Sequence, residues 1–173
     1  MLAVTAHDHL PGPVPVGGLA DGHVAVLANP TAGRGRFREL VPTVLARLGS
    51  TGRPVELLTA STAEQATAVC RQAVADGAAA LVTVGGDGTV HLALQAVAGT
   101  SVGFGPVPAG TGNDFAIGTG FPPDPLAAVG VIADAVSVGR TRPTDLARIT
   151  GAAGTQRWYG AVLAAGFDAL VNE

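Results

Sequence analysis

A chain of 173 residues with 47% apolar and 13% charged side chains has ample surface to bury, enough for one globular domain and part of another, which excludes a disordered chain. Its net charge of −3 offers no general attraction for phosphate backbones or anionic lipid heads, so no nucleic-acid partner is expected and any membrane contact must be local. All ten basic residues are arginines, which excludes Schiff-base chemistry and a P-loop lysine, while the single cysteine, Cys70, excludes an internal disulfide and is expected in the core.

Residues 1–22 are rich in Pro, Gly and His without periodicity; they read as a mobile extension and lack a signal-peptide pattern. From His23 the pattern changes to a strand over 23–28, a glycine-containing turn, and a helix marked by Phe37, Leu40, Val41, Val44, Leu45 and Leu48. A strand over 54–59 and a helix over 62–75 follow, with Ser61 or Thr62 as N-cap ahead of Glu64 and Gln65. Next come an apolar strand over 80–84, the turn GGDGT and a helix over 90–98. The surrounding apolar run, 77–86, is about half the ~20 residues a bilayer crossing needs. A fourth strand over 101–107 leads into the loop 108–114, and 125–135 has helical character. Strands alternating with helices predict an α/β fold with a Rossmann-like doubly wound, mostly parallel sheet. After about Gly139, strands over 144–150 and 156–166 around the turn 151–155 predict a hairpin. Two strands alone are marginal in water, so this hairpin is expected to open a larger β-rich unit. The division expected is an extension over 1–22, an α/β domain over 23–138, and the first strands of an incomplete β-sandwich over 139–173.

Open parallel sheets bind ligands beyond the carboxyl ends of their strands. Here the first predicted strand ends in Asn29, Pro30, Thr31, Ala32, Gly33, Arg34 and Gly35, and the second ends at Thr59. The third ends in Gly85, Gly86, Asp87, Gly88 and Thr89, and the fourth in a loop from Pro108 through Thr111 to Asp114. Glycines at 85, 86 and 88 permit torsions denied to other residues and allow an oxyanion close to peptide N–H groups. The helix that follows points its positive end at the same turn. Asp87 cannot touch a phosphate directly, so it is expected to hold a metal ion or to hydrogen-bond the loop and a nucleotide sugar. Taken alone, GGDGT also has a plainer reading as a tight connecting turn, the less favoured of the two. The run from Gly33 to Arg38 lacks the third glycine of a dinucleotide fingerprint, which disfavours hydride transfer.

Three motifs in order, NPTAG at 29–33, VGGDGTVH at 84–91 and PAGTGNDFA at 108–116, resemble the signatures of the diacylglycerol kinase catalytic family, and GFDA at 166–169 is similar to the motif opening its second domain. The PAGTGNDFA wording is more similar to bacterial lipid kinases than to sphingosine kinases or NAD kinases, which share the GGDG turn. The resemblance implies a two-domain enzyme that binds ATP with Mg2+ and transfers the γ-phosphate to a lipid hydroxyl, diacylglycerol being the typical acceptor. It assigns nucleotide contacts to Asn29, Pro30, Thr31, Ala32, Gly33, Thr59, Gly85, Gly86, Asp87, Gly88, Thr89, Val90, His91 and Thr111. The implied place is the cytoplasm, with peripheral contact at a membrane; a homodimer is compatible with it. The family's catalytic acid and its further metal-binding carboxylates fall beyond Glu173, so neither a general base nor metal ligands are named. A further departure is Leu92, where the family often has glutamate. The alternatives are a non-catalytic or truncated nucleotide-binding module and an NAD-kinase-like phosphotransferase.

Among individual residues, His91 is expected to contact nucleotide, whereas His7, His9 and His23 are not expected to be ligands. Arg34, Arg36 and Arg38 either neutralise phosphate or form a solvated face. Asn113 and Asp114 suit the cap of a short helix, Asp168 a turn, and Trp158 and Tyr159 packing.

Overall fold

The computed structural model describes residues 1–5, 18–28, 37–152 and 154–160. In chain order the elements are β1 (Leu2–Thr5), β2 (Val24–Ala28), α1 (Phe37–Gly49), β3 (Val55–Leu58), α2 (Ala63–Ala75), β4 (Ala80–Gly85) and α3 (Asp87–Val97). They continue with β5 (Gly103–Pro108), α4 (Asp114–Gly118), α5 (Pro125–Ser137), β6 (Arg142–Asp145), β7 (Ala147–Thr150) and β8 (Gln156–Tyr159).

Six strands form one sheet in the order β3-β2-β4-β5-β1-β6, and β7 and β8 form a separate hairpin. The first four strands are mutually parallel, and β4 and β5 are buried along their whole length, as continuous apolar runs in parallel sheets are. Helices cover both faces. Gly105 of β5 lies against Ile132 of α5, and Gly85, of opposite parity along the paired strands, lies against Thr89 of α3. Helix α1 packs on α5 and helix α2 on α3, which completes the doubly wound arrangement. The core is mostly aliphatic, with Leu81, Val82, Val26, Leu48, Leu94 and Ile132 closed to solvent and Cys70 among them, and it also holds Phe104 and Phe115. Thr62 caps α2 as expected, accepting from the Gln65 N–H at 3.2 Å, while Gln65 Oε1 accepts from the Ser61 N–H at 2.9 Å.

Two sequence expectations are corrected. Residues 1–22 are not simply an extension outside the core: Leu2–Thr5 form β1, antiparallel to β5 and parallel to β6, with Leu2 fully buried. Gly18 and Leu19 are also tied to the body, through a bridge to Arg140 and a bond from the Leu19 N–H to Gly139 O at 2.9 Å. A strand of four residues beside a Pro/Gly-rich stretch is too short to show a period, and only its long-range partners define it. The predicted strand over 144–150 is in fact two: β6 joins the large sheet beside β1, and β7 alone pairs with β8. The second hairpin strand ends at Tyr159, and its predicted continuation to 166 lies outside the described residues.

Candidate functional site

Parallel pairing brings the carboxyl ends of four strands level, since Leu27 is opposite Leu58, Ala28 opposite Val84, and Gly85 opposite Pro108. The chain leaves β2 toward β3 on one side and leaves β4 toward β5 on the other, so the crevice between β2 and β4 is the topological switch point where such sheets bind ligands. Thr59 lies exposed on this rim, two strands away from β4, at roughly 10 Å by the usual strand spacing. Asn29, Pro30, Thr31, Ala32 and Gly33, with Arg34 and Arg36, lie outside the described residues, as do His7, His9, GFDA and Asp168; of Arg38 only the backbone, within α1, is described. His23 sits at the opposite, amino end of β2, with Nε2 3.1 Å from Glu56 Oε2.

The remaining predicted residues converge. The loops after β4 and β5 meet backbone to backbone: the Ala109 N–H donates to Gly85 O at 2.9 Å, and a Cβ on Gly110 would stand 2.5 Å from the Gly86 Cα. A Cβ on Gly85 would stand 2.3 Å from Thr89 Oγ1. None of Gly85, Gly86 and Gly88 has a positive φ. The torsional freedom expected of them is thus not used in the left-handed region: at 85 and 86 it is space that excludes a side chain, while Gly88 has nothing within 4 Å of a Cβ. Thr89 is buried against Gly85, so its hydroxyl faces the turn rather than solvent. Thr111 stands exposed next to Gly110, close to the turn.

Helix α3 begins at Asp87, within the motif, earlier than the pattern from residue 90 suggested. Its N-cap, Gly86, carries no side-chain cap, and the positive end of the helix dipole lies at the turn. Asp87 itself turns toward the second loop. Its Oδ1 accepts from the Phe115 N–H at 3.0 Å and its Oδ2 from the Asp114 N–H at 3.2 Å, so it caps α4 from a different helix. The expectation that the Asn113 and Asp114 side chains suit the cap of this helix is corrected, since the capping carboxylate is that of Asp87. Asn113 holds a left-handed backbone, φ 63°, and pairs both ends of its amide with Gly110 at 2.9 and 3.0 Å instead of capping. Phe115 locks this arrangement from below, edge-to-face on Phe104 with ring centres 5.8 Å apart.

A pocket of about 320 Å³ opens beside the turn, lined by Asp87, Gly88, His91 and Asp114 on one side and by Val90, Leu94, Phe115 and Tyr159 as apolar wall. His91 is exposed at its mouth. The Asp87 and Asp114 carboxylates both flank Gly112, lying 3.1 and 3.7 Å from the position of a Cβ there. Among the described residues no three His, Cys, Asp or Glu side chains gather to hold a metal ion. Two carboxylates suit Mg2+ only when phosphate oxygens and water complete its shell. Leu92, which stands where the resembled family often has glutamate, is partly buried and packs against the hydrophobic core. Sequence reasoning missed Gln95, whose amide holds the hairpin edge; its only signal was a spacing of two helical turns from Asp87 along α3.

Fold and site together define a doubly wound α/β unit with glycine-rich loops gathered at its switch point. A model of the diacylglycerol kinase catalytic domain matches residues 23–149, and the chain belongs to that family. It is 40% identical over 153 residues to a protein named diacylglycerol kinase from Mycobacterium tuberculosis, covering 88% of this chain and 48% of that relative. It is 39% identical over 107 residues to one named "Probable lipid kinase YegS-like" from Xanthomonas oryzae pv. oryzae, covering 58% of this chain and 33% of the other. The crystal structure of a diacylglycerol kinase from Bacillus anthracis superposes with a TM-score of 0.58 at 24% identity, over 65% of this chain and 39% of that one, a likeness of fold alone. The chain thus spans about half the length, or less, of these relatives.

Proposed function

We propose that this chain carries the nucleotide-binding half of an ATP-dependent lipid kinase that transfers the γ-phosphate to a lipid hydroxyl of the diacylglycerol type. On this reading, the six-stranded sheet, which takes in β1 and β6 as well as residues 23–138, belongs to the nucleotide-binding domain, and the hairpin β7–β8 opens a second, β-rich one. The observation that carries it is the amino end of α3: a helix without a side-chain cap, preceded by Gly86 and followed by the open Gly88, at the switch point of the sheet. Such an end suits a nucleotide phosphate.

Phosphoryl transfer asks the protein for positioning and charge neutralisation more than for covalent chemistry. The α3 amides and the Thr111 hydroxyl would orient phosphate oxygens, and His91 would donate from the pocket mouth. Asp87 and Asp114 are the carboxylates that would hold Mg2+, which when bound would neutralise phosphate charge. Asp87 has a second task, since its bonds to the Asp114 and Phe115 N–H groups hold the two loops in register. The apolar wall of Val90, Leu94, Phe115 and Tyr159 supports a lipid acceptor over a soluble one. Among the described residues no helix is long and apolar enough to cross a membrane.

Calorimetric titration with ATP, with and without Mg2+, followed by transfer of labelled phosphate to diacylglycerol in mixed micelles, tests this reading. Saturable Mg2+-dependent binding that Asp87→Ala abolishes is the expected result. ATP affinity untouched by both Mg2+ and Asp87→Ala would overturn it. Binding without transfer, with the second domain supplied, would favour a binding module.

A further inference from the structure

The hairpin β7–β8 lies outside the large sheet, and Ala147–Thr150 is exposed at every residue. What attaches it to the body is specific. The Gln95 Nε2 donates to Trp158 O at 2.6 Å, and Gln95 Oε1 accepts from the Trp158 N–H at 3.0 Å. In an antiparallel pair the N–H and C=O of one residue point to the same edge; those of Trp158 face α3, away from β7. Among the described residues the side-chain amide therefore takes the place that a neighbouring strand would occupy and covers the hairpin edge at its centre. The second Nε2 hydrogen goes to His91 O at 3.0 Å, so both donors and the acceptor are engaged. With the amide reversed, its oxygen would face two carbonyls, which leaves a single workable orientation. A second attachment follows directly: a Cβ on Gly160 would stand 2.3 Å from the Phe115 ring and 2.9 Å from Leu146, so the chain passes tightly between them. Phe115 is in turn held by Asp87.

We propose that Gln95 is a positioning residue: by mimicking a strand edge at Trp158, it docks the hairpin on α3 and sets Tyr159 and Gly160 as the pocket wall facing Asp87 and His91. The role of that wall in phosphate transfer rests on the reading above; the docking itself does not. Because nucleotide phosphates would bind at the amino end of α3 and the amide acts two turns further on, hairpin docking and nucleotide affinity are separable.

Trp158 is the only tryptophan of the chain and reports its own docking. The test compares the wild-type chain with Gln95→Met, which keeps the volume but removes both polar contacts, and Gln95→Glu, which keeps an acceptor but sets a carboxylate against the Trp158 carbonyl. Acrylamide quenching of Trp158 without ligand is measured first, with circular dichroism to establish that α3 is intact. Loss of two hydrogen bonds is expected to weaken docking roughly tenfold, so quenching rises in both variants while affinity for MgATP stays within about twofold. Unchanged quenching in both folded variants overturns the proposal, as does a loss of MgATP affinity without a change in quenching. A wild-type chain that binds no MgATP overturns the nucleotide reading alone, because the ligand-free comparison still decides the docking.

Discussion

The rim formed by the loops after β4 and β5 and the hairpin β7–β8 both border one pocket, yet they are built in opposite ways. The rim stands on two fully buried strands, its glycine backbones touch, and Phe115 and Thr89 close it from beneath. Among the described residues the hairpin exposes one strand entirely and is held to the body by one side-chain amide and one tight passage at Gly160. Where burial is complete, position follows from excluded volume and tolerates no added atoms; where it is partial, position depends on a few directional bonds.

This contrast is sharpest under substitution. Phe115→Ala removes a buried ring that supports the loop, the Phe104 edge contact and the Gly160 passage, and is expected to cost about 4 kcal/mol in denaturant unfolding. Gly110→Ala would drive a Cβ into the Gly86 backbone, which no side-chain rotation relieves, and should cost about 2 to 3 kcal/mol. Asp87→Ala leaves the amino end of α4 without its carboxylate, an expected loss of about 1 kcal/mol in addition to its effect on MgATP binding. Asp87→Asn, which keeps one acceptor oxygen, should recover part of the stability but not the Mg2+ dependence. At the hairpin, by contrast, Ile149→Ala, 42% exposed, should change stability by less than about 0.5 kcal/mol; a larger loss would mean that the hairpin is packed more tightly than its exposure indicates.

A chemical probe gives the smallest effect. Burial pushes the Cys70 thiol up from its ordinary 9.0 to about 12, so in the folded chain it stays protonated and shielded. Ellman's reagent at pH 8 should leave it unmodified until denaturant is added. Since the folded value is the raised one, its contribution to stability is complete below pH 9 and is lost as the pH climbs from there toward 12. Prompt modification of the native chain would contradict the packing of α2 on the sheet.

The sequence by itself determined the alternation of strands and helices, the parallel sheet, the capping of α2 by Thr62 and the rim on which GGDGT and PAGTGNDFA lie. These are local: apolar period, glycine punctuation and cap chemistry each speak within a window of a few residues. Only the tertiary structure decided that Leu2–Thr5 close the sheet between β5 and β6, because four residues carry no period and their partners lie far along the chain. It also decided that Asp87 caps α4 and that Gln95 holds Trp158, pairs separated by 28 and 63 residues. The same holds for Gly85 and Gly86, whose lack of a Cβ the sequence attributes to torsion and the structure to space. A composition or a motif states which atoms a residue brings, but what crowds or satisfies them is fixed only when distant segments pack together.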